Sequence, residues 1–277
     1  MSTVVEEIGA VVAEHVVEIM RSGADAPPEP NARIWSVLAE GGWGAVSADP
    51  ENGMELRDLL EVARASGRYA YSTPLVTTLL AGRWFDLEEQ RLAGGLVTAL
   101  RRGDQIVAPY YCEGVAVVDG TGAIVPADPS AVESFSLLAP VALLPESTAP
   151  IDGTELAEAR AGFMAVAVGC ADAVIERSVD WAQTREQFGQ AIKGFQAVRH
   201  HLANAHIARE QAWTAAIAAA HEPERSARWA RQGFSLARTA IELGIQVHGG
   251  VGYTWELGLQ HYLAQVIELD AIFGGER

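Results

Sequence analysis

Cysteine is nearly absent: Cys112 and Cys170 stand far apart and match no metal-binding or redox spacing. A disulfide framework is thereby set aside, and two buried thiols in a reducing compartment are the expected state. Basic residues are also scarce. The 20 Lys and Arg against 36 Asp and Glu leave a formal charge of −16, which argues against a nucleic-acid partner, because that binding needs clustered cations. No stretch has the length and apolar purity of a membrane span. The N-terminal MSTVVEEIGAVVAEHVVEIMR has the apolar period of a helix but lacks the basic start and uninterrupted apolar core of a signal peptide. A soluble cytoplasmic protein is expected, with neither nucleic acid nor membrane as partner. Internal repeats and low-complexity linkers are missing too.

What is present is a chain of 277 residues, 49% of them apolar, enough to bury a sizeable core as one large domain or two small ones. The expected fold is mainly α, in three parts. Residues 1–92 read as an N-terminal helical region. There the PPEP at 27–30 ends a first helix, IWSVLAEGGWGAV runs a second into a turn at Gly41–Gly42, and two more join around Gly67 to Pro74, with Ser72 or Thr73 as N-cap. Residues 93–152 read as an abbreviated β segment. LVTAL, QIVAPYY, GVAVVDG, GAIVPA and FSLLAPVALLP are short apolar runs between Gly, Pro and Asp, too little for a substantial sandwich or barrel. Residues 153–277 return to helix former-rich text: a long helix from about 155 to 183, then 195–220, 224–247 and 256–272, an antiparallel four-helix bundle.

Two stretches interrupt this bundle with glycine and polar side chains: REQFGQAIKGFQ at 185–196 and QVHGGVGYTWE at 246–256. Together they resemble the C-terminal domain of acyl-CoA dehydrogenases, in which an R-x-Q-F-G…I…F-Q turn and a Q-x-H-G-G-x-G-Y turn both handle FAD. WSVLAEGGWGAV and YAYSTPLVTTLL resemble the helical N-terminal domain of that family, and the order of the three parts is the same, so the resemblance spans nearly the whole chain. It implies FAD as cofactor, with Arg185, Gln187, Phe188, Ile192, Phe195, Gln196, Gln246, Gly249 and Gly250 as its contacts. The chemistry suits these residue types. A pyrophosphate takes a planar bidentate cation such as Arg185. Gly249–Gly250 lets backbone approach closely, and a helix N-terminus after it would add a favourable dipole. Gln187, Gln196 and Gln246 match ribose, adenine and phosphate edges, while Phe188 and Phe195 offer apolar walls. Taken singly, each residue has a plainer reading: Arg185 paired to a neighbouring acid, Phe188, Ile192 and Phe195 in the core, the glycines as helix C-caps, and His200 and His201 as exposed helix residues. Only the joint pattern favours a flavin corner.

The resemblance also exposes gaps. Members of the family abstract an α-proton with a carboxylate. One of its two homes follows the last helix, where this chain reads AIFGGER with Phe273 in place of Glu; the other falls on Ala159. Glu158 is adjacent, but one residue turns a helix by about 100°. The Thr-Glu-Pro-like run with which the family's middle domain holds the flavin ring is not found. Some actinobacterial members are built from two chains, several of them acting on steroid side-chain CoA thioesters, and HGGVGYTWELGLQHYL is similar to the turn of that group. The implied function is therefore an FAD-binding accessory subunit. A longer catalytic acyl-CoA dehydrogenase subunit would carry the base and hold most of the acyl-CoA. A self-sufficient dehydrogenase with Glu158 or Glu256 as displaced base, and a non-enzymatic helical assembly subunit, are the competing readings. The apolar stripe Leu259, Tyr262, Leu263, Val266 and Leu269 reads first as core and second as partner contact.

Overall fold

Every proline among the described residues stands outside the α-helices, in keeping with a residue that has no backbone N–H to donate. The structure, a computed structural model, describes residues 2–21, 32–48, 54–70, 73–109, 115–127, 132–134 and 140–274. In chain order the first helices are α1 (Ser2–Arg21), α2 (Ala32–Glu40), α3 (Leu56–Gly67), α4 (Leu75–Trp84) and the short α5 (Glu89–Gly94). The PPEP stretch lies outside the described residues. The Gly41–Gly42 turn ends α2 as expected: Gly42 takes a φ of 75°, and the Trp43 amide donates to the Leu38 carbonyl at 3.1 Å. The expected cap of α4 is corrected. Pro74 itself holds the N-cap position, with no side-chain cap bond, so Thr73 does not serve, and Ser72 lies outside the described residues. Instead the Thr77 and Thr78 hydroxyls donate to the Pro74 carbonyl at 2.8 and 2.7 Å.

Two small sheets follow. One orders its strands β1 (Leu96–Thr98), β4 (Ala116–Val118), β5 (Ile124–Val125), with β1 and β4 parallel. The other is antiparallel throughout, in the order β2 (Leu100–Arg102), β3 (Gln105–Pro109), β7 (Pro140–Leu144), β6 (Val132–Ser134). β1, at one edge of the first sheet, is nevertheless buried along its whole length, and the Thr77 and Thr78 hydroxyls of α4 donate to its Leu96 carbonyl at 2.6 and 3.2 Å.

The helical C-terminal region is built on α6 (Gly153–Thr184), 32 residues rich in Ala and Val and free of proline. Against it pack α7 (Gln196–His221), α8 (Ser226–His248) and α9 (Leu259–Phe273). These four fall within a few residues of the expected spans. The N-terminal α3 also crosses α6, at close range. A Cβ on Gly169 would overlap the Arg64 carbonyl, and one on Gly67 the Val166 carbonyl, so glycine is required on both sides. Arg64 secures the crossing with a two-pronged bond to Asp172, at 2.7 and 3.2 Å, and its guanidinium lies 5.1 Å from the Trp213 ring centre. On α9, Leu259, Val266 and Leu269 are fully buried, with Tyr262 and Leu263 packed beside them, so the stripe is core. Cys170 is buried 3.2 Å from the Gln265 amide oxygen, and burial pushes its thiol pKa up; Cys112 lies outside the described residues. Among the described residues no helix is long and apolar enough to cross a membrane.

Candidate functional site

Helix α6 stops at Thr184, and Arg185 turns to extended backbone while its amide still donates to the Trp181 carbonyl at 2.8 Å. The next residues form a two-stranded ribbon, β8 (Glu186–Gln187) and β9 (Gln190–Ala191). Phe188 and Gly189 are its turn, with φ of 52° and 79°, the mirror-image conformation that matches strand twist. Glycine adopts it freely. Phenylalanine does not, and Phe188 is left 91% exposed in a strained position, its ring meeting that of Phe195 edge to face with centres 6.0 Å apart. The Ile192 amide closes the ribbon onto the Arg185 carbonyl at 2.9 Å, and α7 then begins with Phe195 as N-cap.

The second stretch ends α8. The Gly249 amide donates back to Gln246, and Gly249 takes φ 65° and ψ −146°, a glycine-only conformation. Gly250 differs: its φ is ordinary, and a Cβ there would meet no atom within 4 Å. Nothing in the chain itself demands glycine at 250. It leaves open, exposed backbone. No α-helix begins after the glycines; Gly249–Tyr253 form a five-residue 3-10 turn, and α9 starts only at Leu259, so the expected helix dipole is lacking.

These two stretches, about sixty residues apart, adjoin. Ile192 and Val247 share a small core with Ala182, flanked by Trp181, Phe195, Val198 and Leu202. The Trp181 ring stacks on that of His248, centres 5.5 Å apart and planes at 25°. The Arg185 guanidinium lies 5.8 Å from the centre of the same Trp181 ring. It joins no ion pair among the described residues, so the acid partner of the plainer reading is not found. His248 is buried, and its Nδ1–H donates to the Gly244 carbonyl at 3.0 Å. Burial holds its pKa below that of an ordinary histidine, with the charge of Arg177 acting in the same direction.

Of the expected contacts, Arg185, Gln187, Phe188, Gln196, Gln246, Gly249 and Gly250 are exposed around this corner. Ile192 is buried and Phe195 half-buried in the small core, where they support the corner from beneath. Gln187 turns its amide onto the Glu186 carbonyl at 2.6 Å. His200 is exposed on α7, His201 half-buried. Two residues escaped sequence reading: Trp181, one helical turn before Arg185, and His248, the neighbour of Gly249. The i, i+4 spacing of an aromatic and an arginine at a helix end was the available signal for Trp181.

The corner fits a dinucleotide diphosphate: a planar cation without an acid partner among the described residues, bare glycine backbone, and an exposed aromatic at the ribbon tip. The carboxylates are elsewhere. Glu158 lies near the opposite end of α6, about 40 Å away at 1.5 Å per residue. Its carboxylate accepts from Trp84 Nε1 at 2.7 Å and Arg83 Nε at 3.1 Å. Glu256 is exposed in the turn before α9, its own backbone amide and the Thr254 hydroxyl holding its carboxyl below the usual range. Ala159 is buried, and one turn on, Phe163 stacks on Phe273 with centres 4.1 Å apart.

Comparison with known proteins gives three concordant findings. Residues 150–277 match the family described as acyl-CoA dehydrogenase, C-terminal domain. Over 280 aligned residues the chain is 29% identical to the acyl-CoA dehydrogenase IpdE2 of Mycobacterium tuberculosis, covering 93% of this chain and 87% of that protein. Among solved structures, a Tcur3481-Tcur3483 steroid ACAD superposes with a TM-score of 0.74 at 21% identity, covering 98% of this chain and 95% of the other. The ChsE4-ChsE5 complex from Mycobacterium tuberculosis superposes with a TM-score of 0.69 at 18% identity, covering 99% and 94%. At such identities the two structures speak for the fold.

Proposed function

We propose, because this chain belongs to the acyl-CoA dehydrogenase family of oxidoreductases, that it is the FAD-gripping accessory subunit of a two-chain acyl-CoA dehydrogenase. The observation that carries the reading is the junction of the two stretches through Trp181, which sets an arginine with no acid partner among the described residues beside open glycine backbone. In this reading Arg185 binds the diphosphate through its planar fork and Gly249–Gly250 let the nucleotide approach main chain. Phe188, exposed at the ribbon tip, covers an apolar edge of the bound nucleotide. FAD supplies the hydride acceptor; the residues of this chain bind and orient its nucleotide end.

The catalytic carboxylate is assigned to the partner. Ala159 and Phe273, where the family resemblance would put a base, are apolar and buried, and the Phe163–Phe273 stack brings both to one face of α6. Glu158 is engaged by Arg83 and Trp84, an anchor between α4 and α6. The name of the steroid ACAD supports a steroid side-chain CoA as substrate, held mainly by the partner.

The test is co-expression. The tagged chain alone is expected to purify with little flavin, and with a full-length acyl-CoA dehydrogenase chain from the same genome to yield a yellow, active complex. Loss of flavin from that complex on Arg185→Ala supports the reading. Dehydrogenation that survives replacement of the partner's carboxylate base overturns it.

A further inference from the structure

We propose that Trp181 and His248 are positioning residues, which hold the Arg185 guanidinium and the Gly249–Gly250 backbone as one preformed anion grip. This inference rests on the dinucleotide reading above. An arginine at an exposed helix end samples many rotamers, and gripping an anion removes that freedom. A flat aromatic partner one turn back on the same helix takes part of that loss in advance, and still leaves the edge of the guanidinium for hydrogen bonding. Trp181 occupies that place, 5.8 Å from the guanidinium.

Trp181 is itself located by the second stretch. Its ring stacks on His248 at 5.5 Å, and His248 is fixed to the α8 backbone by the 3.0 Å bond to Gly244. Ser178 stands behind it: fully buried, with its hydroxyl 2.6 Å from the Val174 carbonyl, 3.1 Å from the Gly244 carbonyl and 3.5 Å from the His248 ring. A chain of contacts therefore runs from the α6–α8 interface through His248 and Trp181 to the exposed cation. The residue after His248 is the first glycine of the open turn. The spacing between the glycines, at the end of α8, and the guanidinium, at the end of α6, is therefore set by how these two helices pack. Burial disfavours the charged form of the His248 ring, so Arg185 is the cation that Trp181 meets.

The test is a double-mutant cycle on the FAD-loaded complex, read as the FAD dissociation constant from recovery of flavin fluorescence. Trp181→Leu is expected to weaken FAD retention roughly tenfold, the scale of a partly desolvated cation–π contact, and Trp181→Tyr to restore most of it. In an Arg185→Ala background, Trp181→Leu is expected to have an effect of less than about twofold, because the two side chains act as a unit. A loss from Trp181→Leu that is the same with and without Arg185 overturns the positioning role and leaves the dinucleotide reading standing. Unchanged FAD affinity in Arg185→Ala overturns both. His248→Gln carries the same cycle if Trp181→Leu does not fold. In the ligand-free full chain, the Arg185 Nε–H proton is expected to show an upfield ring-current shift that persists in Trp181→Tyr and disappears in Trp181→Leu. An unshifted proton in the unmodified chain also overturns the positioning role.

Discussion

The ring of Phe273, at the end of α9, lies 4.1 Å from that of Phe163 and nearly parallel to it, at 16°. The contact fastens the last helix to the first turns of α6, and Arg160 reinforces it by donating to the Phe273 carbonyl at 3.2 Å and the Ser226 hydroxyl at 2.9 Å. Phe273→Ala is expected to lower unfolding stability by about 3–5 kcal/mol, the usual scale for emptying a buried phenyl site. Phe273→Glu buries a carboxylate among apolar rings, and is expected to destabilise similarly and to give the isolated chain no dehydrogenase activity. Urea titration and a CoA-thioester assay check both.

Two glycines separate fold from function. Gly169→Ala drives a methyl into the Arg64 carbonyl, so α3 must move off α6; a loss of several kcal/mol is expected. Gly250→Ala meets no atom within 4 Å and has an ordinary φ, so stability is expected to stay within about 0.5 kcal/mol. Its effect appears instead as flavin lost from the assembled complex on gel filtration.

Phe188→Asn is expected to move stability and binding in opposite directions. Asparagine tolerates the φ of 52°, so thermal unfolding rises, by up to about 1 kcal/mol in free energy. Flavin retention in the complex falls, because the exposed ring is gone.

Glu158→Gln is expected to leave turnover of the complex unchanged and to lower stability by about 1–3 kcal/mol, through weakened bonds from Arg83 and Trp84. Steady-state kinetics beside a denaturant titration distinguish an anchor from a base.

Acid sensitivity follows from His248. Its folded pKa is depressed by burial, so its contribution is fully present above the ordinary histidine value and is lost as pH falls from there through the depressed folded value, while the unfolded chain takes up the proton. Stability is expected to decline below about pH 6.5. Partly buried His261 acts in the same direction. His248→Gln is expected to flatten that decline in urea titrations across pH 5–7.

Much of the fold was legible because long alanine-rich stretches with apolar residues at three and four leave one reading, and α6 to α9 fall where that periodicity puts them. The two interrupted stretches were legible as breaks in the bundle, and both do end helices. Their meeting was not: nothing local tells that Trp181 and His248, on different helices, share a stack, since that depends on how α6 and α8 cross. The helix expected after Gly249 failed for a local reason. Glycine-rich GGVG does not sustain an α-helix, and the turn is tight enough that a Cβ on Gly252 would press on the Ile245 carbonyl at 2.7 Å. The strained turn at Phe188 was hidden as well, because aromatic–glycine is not the usual pair at that turn.

Helix α6 runs unbroken for 32 residues, close to 50 Å at 1.5 Å per residue, with the Arg185 corner at one tip and the Glu158 anchor near the other. No break in α6 separates the two, so the anchor and the corner keep a fixed spacing and a fixed rotational register along a single axis, and neither can be repositioned without the other.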